Sequence, residues 1–353
     1  MAEQARPEAD FPVSEFETRV DRAQAAMHAA GLDALLFTTE AEFRYFSGFR
    51  TLFWQSPTRP WFLIVPASGK PVAVIPEIGA VLMRATRIDD IRTWASPAPE
   101  DDGVSLLASA LDGAPRVGMP MGRESSLRMP LADFEQLRSR LPGTEFIDAT
   151  PMAARLRMVK SEAEIAKIGR ICAMASRAFA RAPELFHAGQ PLSEAFRAFR
   201  IELLRQGADD VPYLVGGAGQ PAYGDMISPP DATPLAAGDV LMLDTGACLD
   251  GYFCDFDRNF AIGRADDRAL AAHRTLFAAT DAGLAAARPG ATCADVFQAM
   301  ARVIADAGNG NQAGDGDVGR LGHGLGMQLT EAPSLTGFDT TVLEAGMVLT
   351  LEP

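Results

Sequence analysis

Residues 240–262 read VLMLDTGACLDGYFCDFDRNFAI, and the pair Asp250-Gly251 splits this stretch into two apolar runs. An Asp-Gly pair between such runs is a strong signal for a two-residue β-hairpin, because the matching turn needs positive φ at both central residues. Opposed positions are then symmetric about that pair. Asp244 faces Asp257, and Asp255 faces Gly246. Residues two apart on a strand share a face. Asp244, Asp255 and Asp257 therefore project from one side of one hairpin, with Asp244 and Asp255 as diagonal neighbours.

Carboxylates crowded on one face raise one another's pKa unless a cation lies between them. A plain solvent face is disfavoured by Met242, Leu243 and Phe253, which bury at least one side of the hairpin. Gly246, opposite Asp255, is expected to leave room for an ion. Two further candidates lie downstream. His323, one of four histidines, sits in Gly-His-Gly-Leu-Gly at 322–326, where glycines permit close backbone approach. Glu352 ends the apolar run 347–351, and a carboxylate in such a strand is rarely buried unless paired or bound to metal. Carboxylates with one imidazole suit a hard or borderline divalent ion. The metal set is thus Asp244, Asp255, His323 and Glu352, with Asp257 as an added candidate. His28, His187 and His273 fall in helical or loop contexts and read as surface or packing residues.

The 353 residues suit about two domains, and 48% apolar with 22% charged residues is ordinary for a globular chain. A formal net charge of −14 and a pI near 4.8 argue against a nucleic-acid partner and an anionic membrane surface. Cys172, Cys248, Cys254 and Cys293 show no CxxC spacing, which fits a reduced, cytoplasmic setting. The first ten residues are polar and acidic, unlike a signal peptide. Runs such as 61–66 are too short to span a bilayer. Lysine occurs only at 70, 160 and 167, a scarcity that reads as composition bias.

Outward from the hairpin, the first part of the chain alternates strands and helices. A helical stripe covers 16–30 and ends at Gly31. Strands are expected at 35–37, 61–65, 72–75, 117–119 and 146–147, with a helix at 131–141. This pattern describes an α/β domain with a largely parallel or mixed sheet. Around residue 150 the register changes. Ser161 and Glu164 form a capping box that opens a long helix to about 182. A helix at 193–206, strands and loops over 212–264, helices at 266–287 and 293–307, a glycine-rich loop at 308–319 and terminal strands follow. Gly216-Gly217-Ala218-Gly219 lacks the strand–loop–helix context of a phosphate loop.

Taken in order, the segments around Asp244, Asp255, His323 and Glu352 resemble the creatinase/Xaa-Pro aminopeptidase family of pita-bread metallopeptidases, whose relatives include prolidase and methionine aminopeptidase. The run Arg157-Met158-Val159-Lys160-Ser161, with Glu164 and Ile165, resembles that family's domain junction. Tyr45-Phe46-Ser47-Gly48-Phe49 resembles part of its N-terminal domain. The resemblance implies an α/β (α+β) chain: a creatinase-like N-terminal domain at 1–155, then a pita-bread catalytic domain at 156–353 whose C-terminal end is missing. It also implies two divalent ions (Mn, Co, Fe or Zn), with Asp244 on one metal, Asp255 bridging, and His323 and Glu352 on the other. The implied enzyme is a homodimer that cleaves a small peptide or peptide-like amide with a metal-activated hydroxide.

Three departures accompany the resemblance. The family's bridging Glu belongs to a strand beyond Glu352, and this sequence ends at Pro353. That reads as a fragment or as a cage one ligand short, with Asp257, where relatives carry Thr, as partial compensation. The histidine expected seven residues after His323 is Thr330, and 215–230 contains no histidine, with Ile227 near the expected place. Thr330 and Glu331 become the catalytic candidates, and Tyr223 and Asp225 possible stand-ins. Two alternatives stay open: a lyase or C–N hydrolase for a small zwitterionic metabolite, and an inactive binding protein. On the substrate side, Arg59 (or Arg50) suits a carboxylate, and Trp54 with Trp61 suits a cation, in reach of a neighbouring subunit's site. Local packing or a dimer contact is the alternative for this loop.

Overall fold

The stripe at 16–30 forms α1 (Val13–Ala30), which buries Phe16, Val20, Ala23 and Met27 and stops at Gly31 in the left-handed conformation. The computed structural model describes residues 11–56, 59–220, 223–308 and 319–353. The polar segment 1–10 and most of the glycine-rich loop fall outside the described residues. The chain divides into two compact units, Met1–Leu156 and Arg157–Pro353.

In the first unit α1 is followed by β1 (Ala34–Phe37), α2 (Glu40–Ser47), β2 (Phe62–Pro66), β3 (Val72–Pro76), α3 (Ala80–Met83) and β4 (Asp90–Trp94). Next come α4 (Val104–Leu111), β5 (Arg116–Met119), α5 (Leu131–Arg140) and β6 (Glu145–Asp148). The six strands form one mixed sheet in the order β4-β3-β2-β1-β5-β6. Every residue of β1 is buried, so both faces are covered, as its unbroken apolar run requires. On one face Leu36, Ile64, Val74 and Val117 pack with Leu107 and Leu111 of α4 and Phe134 and Leu137 of α5. The elements α2, β4 and α4 are not among those expected from the sequence: α2 buries seven of its eight residues and so shows no stripe, β4 is only half-buried throughout, and α4 does carry a stripe, Val104, Leu107, Ala108 and Leu111.

Helix α6 (Thr150–Met158) crosses the division. In the second unit it is followed by α7 (Glu162–Ala180), α8 (Ala182–Leu185), α9 (Leu192–Arg205), β7 (Asp210–Gly219), β8 (Val240–Leu249), β9 (Tyr252–Phe253) and β10 (Phe256–Ala261). Then come α10 (Asp267–Ala286), α11 (Cys293–Asp306), β11 (His323–Gly324) and β12 (Glu331–Ser334). The capping box at α7 is present in both directions: Ser161 Oγ accepts from Glu164 N–H, and Glu164 accepts from Ser161 N–H. Strands β10, β8 and β7 form an antiparallel sheet, with β9 pairing on β8.

Two cores place the site. Leu241, Leu243 and Ala247 of β8 bury against Ile171 and Phe179 of α7 and Phe196 and Phe199 of α9. Strand alternation then turns Asp244 to the opposite face. Leu349 and Leu351 pack against the core built by Val296 and Met300 of α11 with Ala279 of α10. The segment after Gly346 is not the terminal strand expected but makes only the isolated bridges Met347–Val159 and Leu349–Gly324, and within it Thr350 and Glu352 alternate with the two leucines and face His323.

Candidate metal centre

The hairpin turn lies where the Asp-Gly pair puts it. Asp250 and Gly251 both have positive φ, 51° and 69°. Leu249 pairs with Tyr252, Thr245 with Phe256, and Asp244 with Asp257. Asp255 falls in the gap between β9 and β10, so it lies outside the ladder although the register is continuous across it. Gly246 does not hold space for an ion. A Cβ there would meet Leu329 Cδ1 at 2.4 Å, so the leucine side chain occupies that room.

Asp255, His323 and Glu352 each offer an atom within 4.8 Å of the others. His323 Nε2 lies 3.4 Å from Asp255 Oδ2 and 3.3 Å from Glu352 Oε1. His323 Nδ1 lies 2.9 Å from Gly324 O, which can only accept, so that hydrogen bond puts the ring proton on Nδ1 and aims Nε2 into the cluster. The imidazole is 4% exposed. Its backbone is tied to the Glu352 segment, since His323 N–H donates to Thr350 Oγ1 at 3.0 Å and Thr350 N–H to His323 O at 2.8 Å. The motif glycines allow this approach: a Cβ on Gly322 would lie 2.3 Å from Thr350 O, and one on Gly324 2.3 Å from Ala332 O. Glu352 itself is 38% exposed, so it caps the cluster at the solvent edge and is not the buried carboxylate its apolar run suggests.

Asp244 joins through a hydrogen bond shared with Asp255. Burial, then the charges of Glu352, Asp244 and Asp257, push Asp255 up to about 8. Burial and the charge of Asp257 push Asp244 up to about 6. Asp257 keeps a solvent-facing edge, yet withdrawal from water and the charge of Glu352 push it up to about 6 as well. Four carboxyls in mutual repulsion around an oriented imidazole are a donor set that a divalent cation fits.

Tyr213 was not read as a site residue from sequence. Its hydroxyl donates to Asp244 Oδ2 at 3.0 Å. It sits opposite Gly246, one diagonal step from the Val215–Asp244 pair, and an aromatic at that step can reach across. Burial and the charge of Asp244 raise its phenol, which keeps it a donor. Tyr223 donates to Asn259 Oδ1 at 3.2 Å, and Asp225 is occupied by the N–H groups of Ile227 and Ser228.

Thr330 is half-buried and immediately precedes β12. The Glu331 carboxylate turns inward to Lys160 at 3.3 Å, Arg157 at 3.4 Å and the Gln328 N–H at 3.0 Å. Burial alone would push it up, but Arg157 and then Lys160 hold it below the usual range. In the first unit Trp61 is 1% exposed, and its ring packs on Trp54 and Phe49 with centroids 6.0 and 5.2 Å away. Trp54 packs on Phe43 beneath the Arg128 guanidinium. The indoles thus serve packing within this unit and offer no open face to a cation. Arg59, with φ 62°, sits over the ring of Phe53.

Such a centre, in a unit that follows a separate α/β unit along the chain, defines a two-domain metallopeptidase class. Residues 166–353 match metallopeptidase family M24 and residues 19–159 match the creatinase/prolidase N-terminal domain; the chain belongs to this family. It is 30% identical over 349 residues to the "Probable dipeptidase PepE" of Mycobacterium tuberculosis, covering 97% of this chain and 88% of the relative. It is 28% identical over 254 residues to a Xaa-Pro dipeptidase of Pyrococcus horikoshii, covering 69% and 67%. Among solved structures, dipeptidase PepE from Mycobacterium ulcerans superposes with a TM-score of 0.81 at 28% identity, covering 97% of this chain and 89% of that one. The prolidase of Pyrococcus horikoshii shares the fold, with a TM-score of 0.81 at 22% identity and coverage of 95% and 89%. Among the described residues no helix is long and apolar enough to cross a membrane.

Proposed function

We propose that this chain is a metal-dependent dipeptidase acting on a small peptide, with Xaa-Pro dipeptides as the first substrates to try. The convergence of Asp255, Glu352 and the oriented His323 Nε2 carries this reading. His323 and Glu352 would hold one divalent ion (Mn, Co, Fe or Zn), Asp244 a second, and Asp255 both, with Asp257 beside Asp244. Bound metal supplies Lewis-acid chemistry, polarising a carbonyl and acidifying water. The protein's own part is orientation. Tyr213 holds Asp244, the Gly324 carbonyl holds the His323 tautomer, and Thr350 holds the His323 backbone. Thr330 is the proposed hydroxyl contact for substrate.

We also read the protein as a cytoplasmic homodimer. The wide spacing of Cys172, Cys248, Cys254 and Cys293, with no CxxC pair, supports the compartment. The exposed Leu52, Ile78, Val81 and Leu82 of the first unit support a covered surface.

Metal-depleted protein reloaded with Mn(II), Co(II) or Zn(II) and assayed on Xaa-Pro dipeptides tests the proposal. Metal-dependent turnover, lost in Asp255→Ala, is the expected result. Absence of bound metal, or unchanged binding in Asp255→Ala, would sink it. Metal binding with turnover of small amides but not dipeptides would favour the C–N hydrolase reading, which rests on Thr330 and Ile227 occupying the two expected histidine positions.

A further inference from the structure

Of only three lysines in the chain, two, Lys160 and Lys167, are buried within one short segment. Segment 157–167 reaches every stretch of backbone that delivers a candidate ligand. Toward the hairpin, Glu164 Oε1 accepts from the buried Tyr252 hydroxyl at 2.9 Å, and Lys167 Nζ lies 3.1 Å from Asp250 Oδ2. Toward Glu352, Val159 pairs with Met347, and Lys160 N–H donates to Gly346 O at 2.9 Å. Toward His323, Lys160 and Arg157 grip the two oxygens of Glu331, at the start of the strand that pairs with β11.

Burying two cations and an anion is a weak route to stability, because desolvation offsets much of the attraction and apolar replacements are often as stable. What such a group supplies is direction. Glu331 presses against the ligand motif: a Cβ on Gly326 would lie 2.9 Å from Glu331 Oε2. Gly326 O in turn accepts from Phe253 N–H at 2.9 Å, two residues before Asp255. The contacts therefore run Lys160 and Arg157, Glu331, Gly326, Phe253, Asp255.

We propose that Glu331 is a positioning residue: clamped by Arg157 and Lys160, it sets the distance between His323 and the hairpin that carries Asp244 and Asp255. Both of its oxygens are engaged by Arg157, Lys160 and the Gln328 N–H, so it acts through the His323 arm and not on substrate. The proposal rests on the metal-centre reading above.

The test uses the full chain, Glu331→Gln and Lys160→Met, titrated with Co(II) while the visible absorption spectrum reports coordination. Glu331→Gln is expected to weaken Co(II) binding about 10-fold or more, the usual range for a partner behind the ligands, and to change the spectrum. Amide exchange should rise at 321–326, 349–352 and 253 but not across β7 and β8. Lys160→Met, which leaves Arg157 on Glu331, should move the same quantities less. A lowered Tm with unchanged spectrum and affinity in both variants overturns the proposal. If Glu331→Gln does not fold, Lys160→Met decides alone by the same criteria. If the wild-type chain binds no Co(II), the metal reading falls and exchange decides the clamp: local loosening supports it, and uniform loosening overturns it.

Discussion

Raising the pH of the metal-free protein is expected to destabilise it, with the loss originating at Asp255. Burial and the surrounding carboxylates move this group from 3.8 to about 8. The native state therefore holds a proton that the unfolded chain releases above pH 4. Stability is fully present below the unfolded pKa and is lost as pH rises through the folded one. At about 1.4 kcal/mol per pH unit, the loss between pH 4 and 8 is on the order of 5 kcal/mol. Asp244, pushed up to about 6, shares a hydrogen bond with Asp255, so the two titrate as a coupled pair and its own rise adds to the same loss. A typical domain has about 5–15 kcal/mol in total, so the effect is large. Glu331 shifts the opposite way, held below its usual range by Arg157 and Lys160, and so takes no part in this loss. Urea unfolding at pH 5, 6, 7 and 8 in a chelator should show a steadily falling midpoint. Excess Mn(II) should remove the fall or reverse it, because bound metal takes the deprotonated ligands. Chelated protein whose stability is flat or rises from pH 5 to 8 would refute the reasoning.

Asp255→Asn removes the demand for that proton, so the chelated variant should exceed wild type at pH 8 by most of the same ~5 kcal/mol while losing Co(II) binding in titration. Tyr213→Phe deletes the 3.0 Å donor to Asp244; metal affinity should fall about 10-fold with unfolding stability changed by no more than about 1 kcal/mol. Gly322→Ala places a Cβ 2.3 Å from Thr350 O at a φ of 137°. It should cost roughly 2–4 kcal/mol in urea unfolding, because relief requires breaking the bond from Thr350 N–H to His323 O.

The hairpin was legible because its determinant is local. Two adjacent residues at positive φ set the register, and the register alone puts Asp257 opposite Asp244. The α7 start was legible for the same reason, since Ser161 and Glu164 satisfy each other within one turn. Contacts made across long sequence separations were not. Leu329 fills the space before Gly246, and Glu331 finds Lys160 across 171 residues. Neither partner is implied by neighbouring sequence. Tyr213 stood between these cases: its strand spacing relative to Asp244 could have been used once the β7–β8 pairing was assumed, but the pairing itself is non-local. Trp54 and Trp61 left two readings open because an Arg- and Trp-rich loop has the same composition whether its rings face a ligand or the Phe43–Phe49 cluster.

Both halves of the centre are built by the same device. In β8, Leu241, Leu243 and Ala247 are held by the α7–α9 core, and the period of two delivers Asp244 to the other side. In the last segment, extended but bridged only at Met347 and Leu349, Leu349 and Leu351 are held by the α10–α11 core while Thr350 and Glu352 face His323. Apolar burial thus drives two like-charged rows toward each other. The repulsion shows in the raised carboxyls of Asp244, Asp255 and Asp257. Neither core can relax it without giving up leucine burial, at about 1.5–3 kcal/mol per side chain. The cheaper relief is a bound cation, so metal affinity and the pH-dependent instability of the metal-free chain have one origin. A substitution that lowers one should lower the other, unless, like Glu331→Gln, it changes the spacing of the halves instead of their charge.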